Sequence, residues 1–321
     1  MGVKAEKITV VGAGTIGSTV AYALMLKELA KEIRIVNRNE AKGKIKAFDL
    51  SHCAPLTGGV NISSGSFEDS AGSDIVVVTV GVLPNEHGTR MDVLKSNIGI
   101  YKGIIPEIAR YSPDAVIILV TNPVDVMAYA AYRLSGFPAS RIIGSGTLLD
   151  TIRFRHLLGS RYGFNSSQVE AAVIGEHGDS MVHVWSRVKF LHTGLQDYLN
   201  EKGLILEPDA RNTIEEETRR AGWNIRLGNE HSCYGISLSV VRIIEGILEF
   251  SEGLIPVSTL LCGDYGINGV FLSVPVLLGL KGIRKVEAVT LDDQEYKRLA
   301  ESAEILRGYI QEADSLLTVG Q

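Results

Sequence analysis

His177 stands in Gly175-Glu176-His177-Gly178-Asp179, between glycines and so in a loop rather than on a packed helical face. Asp150 and Arg153 lie upstream, three residues apart in a helical stretch, a spacing that puts both on one face. Near the start, Gly12-Ala13-Gly14-Thr15-Ile16-Gly17 joins a short apolar run to an apolar-periodic one. An imidazole that gives and takes a proton, a carboxylate that steadies it and a guanidinium that holds an acid are what reversible reduction of a 2-keto acid requires. An adjacent carboxylate raises an imidazole above its isolated value of roughly 6.5, so His177 can enter the reaction protonated. Each piece also has a plainer reading. Asp150 and Arg153 could be a solvated i,i+3 ion pair, the glycines a structural turn, and His177 a metal ligand with Asp179 and His183, although no second ligand pair accompanies them.

The elements that must position these groups are legible. Lys7–Val11 reads as a strand, the glycines as a tight turn and Ile16–Leu29 as a helix, the context in which Gly-x-Gly-x-x-Gly offers backbone N–H groups to a pyrophosphate. Ile33–Val36, Ile75–Val80 and Ala115–Val120 are further strands at βαβ spacing, and their continuous β-branched character indicates a parallel sheet covered on both faces. The texture changes after Ile142-Ile143-Gly144-Ser145-Gly146. An amphipathic stretch Leu149–Leu158, an antiparallel-type turn at Asp264–Gly269 and a helix over Leu291–Leu317 follow. The expected fold is α/β: a Rossmann-type doubly wound parallel sheet over 1–146, then a mixed α+β substrate domain over 147–321. Gly144-Ser145-Gly146-Thr147 would place Asp150 and Arg153 beside a strand end, where open α/β sheets bind ligands.

Composition narrows the function further. The 321 residues are 45% hydrophobic with a net charge of −5 and no block of like charge, which argues against nucleic acid or an anionic membrane as partner. Cys53, Cys233 and Cys262 are scattered and odd in number, so neither a disulfide framework nor a zinc site is expected, and no metal is assigned. Met1–Lys7 lacks the apolar stretch of a signal peptide, and a cytoplasmic location is expected.

Five segments in order resemble the lactate and malate dehydrogenases, the L-2-hydroxy acid dehydrogenase family. They are Gly12–Gly17, Thr89-Arg90-Met91-Asp92, Val120–Asp125, Gly146–Arg153 and Ile174–Asp179, and the similarity spans essentially the whole chain. The resemblance implies that His177 is the proton donor and acceptor, Asp150 its partner, Arg153 the carboxylate clamp and Arg90 the polarising group on a closing loop. Asn122 and Ser232 would help hold the substrate. It further implies NAD contacts from Gly12, Gly14, Thr15, Ile16, Gly17, Asn37, Arg38, Thr79, Gly81, Asn97 and Asn122. An NAD site normally has Asp or Glu where Asn37 stands, and Arg38 follows it, so NADP or dual use stays open.

Within the family, the position six before the loop arginine contacts the variable part of the substrate, and here it is Pro84. Val82–Gly88 contains no arginine or lysine to meet a second carboxylate, which disfavours malate. Leu83, Pro84 and Gly235 suit lactate and admit larger apolar groups, with 2-hydroxyisocaproate as the alternative. The resemblance implies a homodimer or homotetramer. Arg155 matches an arginine that binds fructose 1,6-bisphosphate in many bacterial lactate enzymes, but Glu170 occupies the accompanying histidine position, so no such activation is expected. The competing readings are an NAD-dependent glycosidase, for which the Cys/His arrangement does not fit, and a silent dinucleotide-binding protein, against which the full catalytic set argues.

Overall fold

The β-branched runs form the centre of one sheet, nine-stranded among the described residues. The structure, a computed structural model, describes residues 2–82, 90–228, 231–250 and 253–318, with backbone alone at 90 and 91. Strands β1 (Ala5–Val11), β2 (Ala30–Val36), β3 (Asn61–Gly65), β4 (Ile75–Val78), β5 (Val116–Leu119) and β6 (Ile142–Gly144) run parallel in the order β3-β2-β1-β4-β5-β6. Strand order reverses between β1 and β4, which opens a crevice at their carboxyl ends. Helices α1 (Thr15–Leu26), α2 (Glu40–Ser51), α3 (Arg90–Tyr111) and α4 (Val124–Ser135) are interleaved with these strands. Ile8, Val10, Val76, Val77, Ile117 and Ile118 are fully buried, because crossover helices cover both faces of a parallel sheet.

Helix α5 (Leu148–Tyr162) leads into short strands β7 (Val169–Glu170), β8 (Val173–Ile174), β9 (Val182–His183), β10 (Lys189–Phe190) and β11 (Thr193–Gly194). Helices α6 (Leu195–Lys202), α7 (Ala210–Leu227) and α8 (Tyr234–Ile247) follow, then β12 (Ile255–Cys262), β13 (Asn268–Gly279), β14 (Gly282–Val286) and α9 (Asp293–Thr318). A second core of Phe154, Leu158, Trp185, Phe190, Leu199 and Ile214 packs beneath α5. The chain after Gly146 does not keep its strands apart from the first sheet. Its longest hairpin, β12 and β13, adds antiparallel to the edge at β6, where Ser258 pairs with Gly144. Burial explains this: Val257, Leu261, Phe271, Leu272 and Val274 all need cover, and the β6 edge with its flanking helices supplies it.

The glycine turn between β1 and α1 is held from two sides. Gly12 has φ +117°, and a Cβ on Gly17 would stand 1.9 Å from the Gly12 carbonyl oxygen. The Thr79 hydroxyl donates to the Val11 carbonyl at 3.1 Å and braces the turn from the end of β4. A Cβ on Gly14, by contrast, would have no neighbour within 4 Å. Gly17→Ala should therefore destabilise the protein by about 1–3 kcal/mol through overpacking. Gly14→Ala should melt as the wild type does yet bind NADH more weakly. Calorimetry and fluorescence titration check both, and an unchanged melting temperature in Gly17→Ala would contradict the packing argument.

Candidate active site

Helix α5 begins after Thr147, and its first turns place Asp150 and Arg153 inward beneath the loop between β8 and β9. Asp150 is 1% and Arg153 15% exposed, so the pair is not a solvated surface bridge. Asp150 Oδ1 accepts from Arg153 Nη1 at 3.2 Å, while its Oδ2 lies 2.6 Å from His177 Nδ1. Arg153 Nη2 reaches Ser232 Oγ at 3.4 Å, which brings the segment before α8 to the same point. His177, Asp150, Arg153 and Ser232 are thus together, as the sequence suggested.

The loop carrying His177 is fastened at successive residues. Gly175 (φ +91°) exchanges backbone hydrogen bonds with Ser273 of β13, at 2.9 and 3.1 Å. The Glu176 N–H donates to Ser302 Oγ of α9 at 2.9 Å, and the His177 N–H donates to Asp125 Oδ2 of α4 at 2.9 Å. A Cβ on Gly178 would stand 2.7 Å from the Glu176 carboxyl, which accepts from Ser180 Oγ at 2.6 Å. The imidazole therefore projects from a loop that three other elements hold.

Burial opposes charge on both partners, but proximity wins. Desolvation alone would push Asp150 up. The charge of His177, its hydrogen bond and the charge of Arg153 hold the carboxyl below its ordinary value. Desolvation likewise pushes His177 down, and the charge and hydrogen bond of Asp150, then the charge of Asp125, carry it above 6.5. An ionised carboxylate only accepts hydrogen bonds, so Nδ1 carries the proton facing Asp150 and Nε2 is left to exchange one with a ligand. Arg153 keeps further N–H donors that can form a planar fork for a carboxylate.

The residues expected at a cofactor site have mixed roles. Gly12 and Gly17 shape the turn. Gly14, Thr15 and Ile16 open α1, whose first turn carries no side-chain cap, and the open space at Gly14 fits a pyrophosphate. Asn37 Oδ1 accepts from the Ala13 N–H at 3.0 Å and its Nδ2 donates to the Asn39 carbonyl at 2.8 Å. Its amide thus braces the glycine turn and keeps one lone pair and one N–H for a ribose. It borders a cleft of about 260 Å³ that Gly43, Lys44, Ser64 and Asp69 also line, and Arg38 beside it is exposed. Asn97 is fully buried; its Oδ1 accepts from the Val82 N–H and its Nδ2 donates to the Asn122 carbonyl, both at 2.8 Å. It fixes the loop after β4, where a Cβ on Gly81 would meet Thr121 Cγ2 at 2.5 Å, to the exposed Asn122 at the end of β5.

Pro84 and its neighbours Leu83 and Asn85 to Thr89 lie outside the described residues, and at Arg90 only the helical start of α3 is described. Gly235 does not enlarge the site as its small size suggested. A Cβ there would stand 2.8 Å from Leu149 Cδ1, so the space is already filled by Leu149. Gly222 on α7 adjoins the site instead: a Cβ there would lie in ordinary contact with Arg153 Nη2, at 3.6 Å. Sequence reasoning missed Gly222 and also Ser302 and Asp125, which act on the loop from other helices; Asp125 lay inside a noted motif without a role. Ile236 is a core residue.

A doubly wound sheet with a glycine turn at its switch point and a buried His/Asp/Arg cluster nearby is the architecture of a dinucleotide-dependent oxidoreductase. Residues 6–144 match the model for the lactate/malate dehydrogenase NAD binding domain, and residues 147–316 that for the lactate/malate dehydrogenase alpha/beta C-terminal domain. The L-lactate dehydrogenase of Clostridium botulinum (strain Okra / Type B1) is 41% identical over 310 residues, 97% of this chain and 98% of its own. That of Clostridium perfringens (strain SM101 / Type A) is 38% identical over 307 residues, 96% and 97% of the two chains. The crystal structure of the minor L-lactate dehydrogenase from Enterococcus mundtii in the ligands-bound form superposes with a TM-score of 0.91 at 30% identity, covering 97% of this chain and 98% of that one. The chain belongs to the lactate/malate dehydrogenase family, NAD-dependent oxidoreductases that act on 2-hydroxy acids.

Replacing Asp150 with Asn keeps the shape and removes the charge that raises His177. The expected result is a loss of about 10²–10⁴-fold in kcat/KM for keto-acid reduction. Its alkaline limb should move to lower pH, because the imidazolium loses its main stabiliser. A limb that stays in place in the pH profile would contradict the pairing.

Proposed function

We propose that the protein is an L-lactate dehydrogenase that interconverts pyruvate and L-lactate. The observation that carries this reading is the buried cluster in which Asp150 bridges His177 and Arg153. Reduced nicotinamide, when bound, supplies the hydride, and Gly12, Gly14, Thr15, Ile16 and Gly17 would hold its pyrophosphate. Arg153 binds the substrate carboxylate through its fork and so orients the keto group. His177 gives its Nε2 proton to the keto oxygen and is left neutral, and in the reverse direction takes the hydroxyl proton, with Asp150 stabilising the imidazolium that precedes reduction and follows oxidation. Arg90 completes the charge on the oxygen, and Asn122 positions the substrate beside the nicotinamide. Pro84, in a segment without lysine or arginine, leaves a second carboxylate without a cation, which favours pyruvate over oxaloacetate.

The absence of a side chain at Gly222, beside Arg153, favours one further reading, a dehydrogenase of broader apolar 2-keto acids such as 2-ketoisocaproate. Initial rates with pyruvate, oxaloacetate and 2-ketoisocaproate decide between them. Preference for pyruvate supports a lactate enzyme, preference for the branched acid supports the broader one, and preference for oxaloacetate defeats both.

NAD is the cofactor; use of NADP rests on Asn37 and Arg38 replacing the usual acid. The carboxylates of Glu40 and Asp69 at the same cleft weigh against a 2′-phosphate. Rates with NADH and NADPH measure the balance. We also propose a cytoplasmic homo-oligomer, dimer or tetramer. Exposed Ile45 and Phe48 on α2 and Tyr234 and Leu238 on α8 support association. Among the described residues no helix is long and apolar enough to cross a membrane. Fructose 1,6-bisphosphate should not activate: Arg155 Nε is bonded to the Ala171 carbonyl at 2.9 Å, and the Glu170 carboxylate stands nearby, where it would repel a phosphate. Several-fold stimulation in a rate assay would overturn that expectation.

A further inference from the structure

Asp125 is a buried carboxylate that the reaction as derived above does not use. It sits in the first turn of α4, 2% exposed, just after the Asn122-Pro123 segment. Its Oδ2 accepts the His177 backbone N–H at 2.9 Å, and its Oδ1 has no hydrogen-bond partner. Ser258 of β12, whose hydroxyl is likewise unpartnered, is close enough to favour the ionised form. A buried carboxylate with one oxygen unmatched is costly and needs a compensating interaction. The compensation available is a positive charge: with Oδ2 on the His177 nitrogen, the imidazole of the same residue cannot be farther than about 7 Å away.

We propose that Asp125 is a positioning residue for the reaction, which fixes the His177 loop through the backbone and, through its negative charge, stabilises the imidazolium together with Asp150. The inference rests on the acid–base role given to His177 above. The charged groups that bear on His177 are Asp150 and Arg153 from α5 and Asp125 from α4, with Glu176 of the same loop acting on Asp125. Asp150 and Asp125 favour the imidazolium and Arg153 opposes it. Burial, then Glu176, push Asp125 up to about 6, against Ser258, the His177 N–H and the His177 charge. Its contribution is therefore present at neutral pH and fades as the pH falls through that value. Two carboxylates then share the task of keeping Nε2 protonated until the keto oxygen takes the proton, and only Asp150 touches the ring nitrogen.

The test is a histidine-selective NMR titration of the full-length wild type, Asp125→Asn and Ser258→Ala, with His177→Asn to assign the resonance. In Asp125→Asn the new amide can still accept the His177 N–H and can donate to Ser258, so the loop bond survives while the charge is gone. The His177 midpoint should fall by about one unit, and the alkaline limb of kcat/KM for pyruvate reduction should fall with it. Ser258→Ala removes the hydroxyl that favours the ionised Asp125, so it should move the midpoint the same way by less. A purely structural role would lower the melting temperature and leave both midpoint and limb in place, which would overturn the proposal. A His177→Asn variant that keeps turnover would defeat the acid–base reading itself, an outcome read independently of the midpoint.

Discussion

Everything about this site turns on burying Asp150 where it can be relieved only by two cations. At 1% exposure an isolated carboxylate would take a proton, so its ionised state depends on Arg153 and His177 staying within reach. Removing one partner of such a pair costs roughly 3–5 kcal/mol, because the remaining charge is left uncompensated. The same contact that stabilises the carboxylate therefore fixes the imidazole tautomer, aims Nε2 and keeps the ring charged. Structure and reactivity are consequences of one electrostatic constraint.

Much of the remaining architecture serves to keep that contact in place. The parallel part of the main sheet ends at β6, and α5 departs from it so that Asp150 falls in the first turn. Thr147 Oγ1 donates to the Val173 carbonyl at 2.5 Å, and Thr151 Oγ1 accepts the Val173 N–H at 2.9 Å, tying α5 to the strand that precedes the histidine loop. Ser273 binds Gly175 by its backbone and accepts from the Thr147 N–H through its hydroxyl, so β13 joins both sides of the pair. The antiparallel extension of the sheet is thus part of the scaffold that holds the His177 loop, since β13 adds to that edge and bonds Gly175 and Thr147. The cofactor side is built on the same economy, with Thr79 and Asn97 holding the turns so that Gly14 can leave space.

How much of this could be read beforehand depended on the range of the interactions. The parallel strands were legible from Ile75–Val78 and Val116–Leu119 because burial on both faces leaves a continuous apolar run. The glycine turn was legible because its geometry is local. The meeting of His177, Asp150 and Arg153 was legible as a family pattern, not from spacing, since Asp150 and His177 are 27 positions apart in the chain. The docking of β12 on β6 was not, because a three-residue edge strand gives no sign of its neighbour. Nor was the effect of Gly235, where a missing side chain reads as space until Leu149 is seen to occupy it. Asn97 was expected to touch the cofactor, and the structure shows it bridging two loops beneath that position.

The account predicts one titration behind two opposite activities. With His177 in the acid–base role proposed for it, keto-acid reduction needs it protonated and hydroxy-acid oxidation needs it neutral, so kcat/KM for the two directions should change in mirror image with pH. The most direct measurement is both profiles on the same wild-type preparation. A falling limb for pyruvate and a rising limb for lactate that share one midpoint above 6.5 is the predicted result. Limbs with separate midpoints, or a shared midpoint below that value, would contradict the claim that Asp150 holds the imidazole in its charged form.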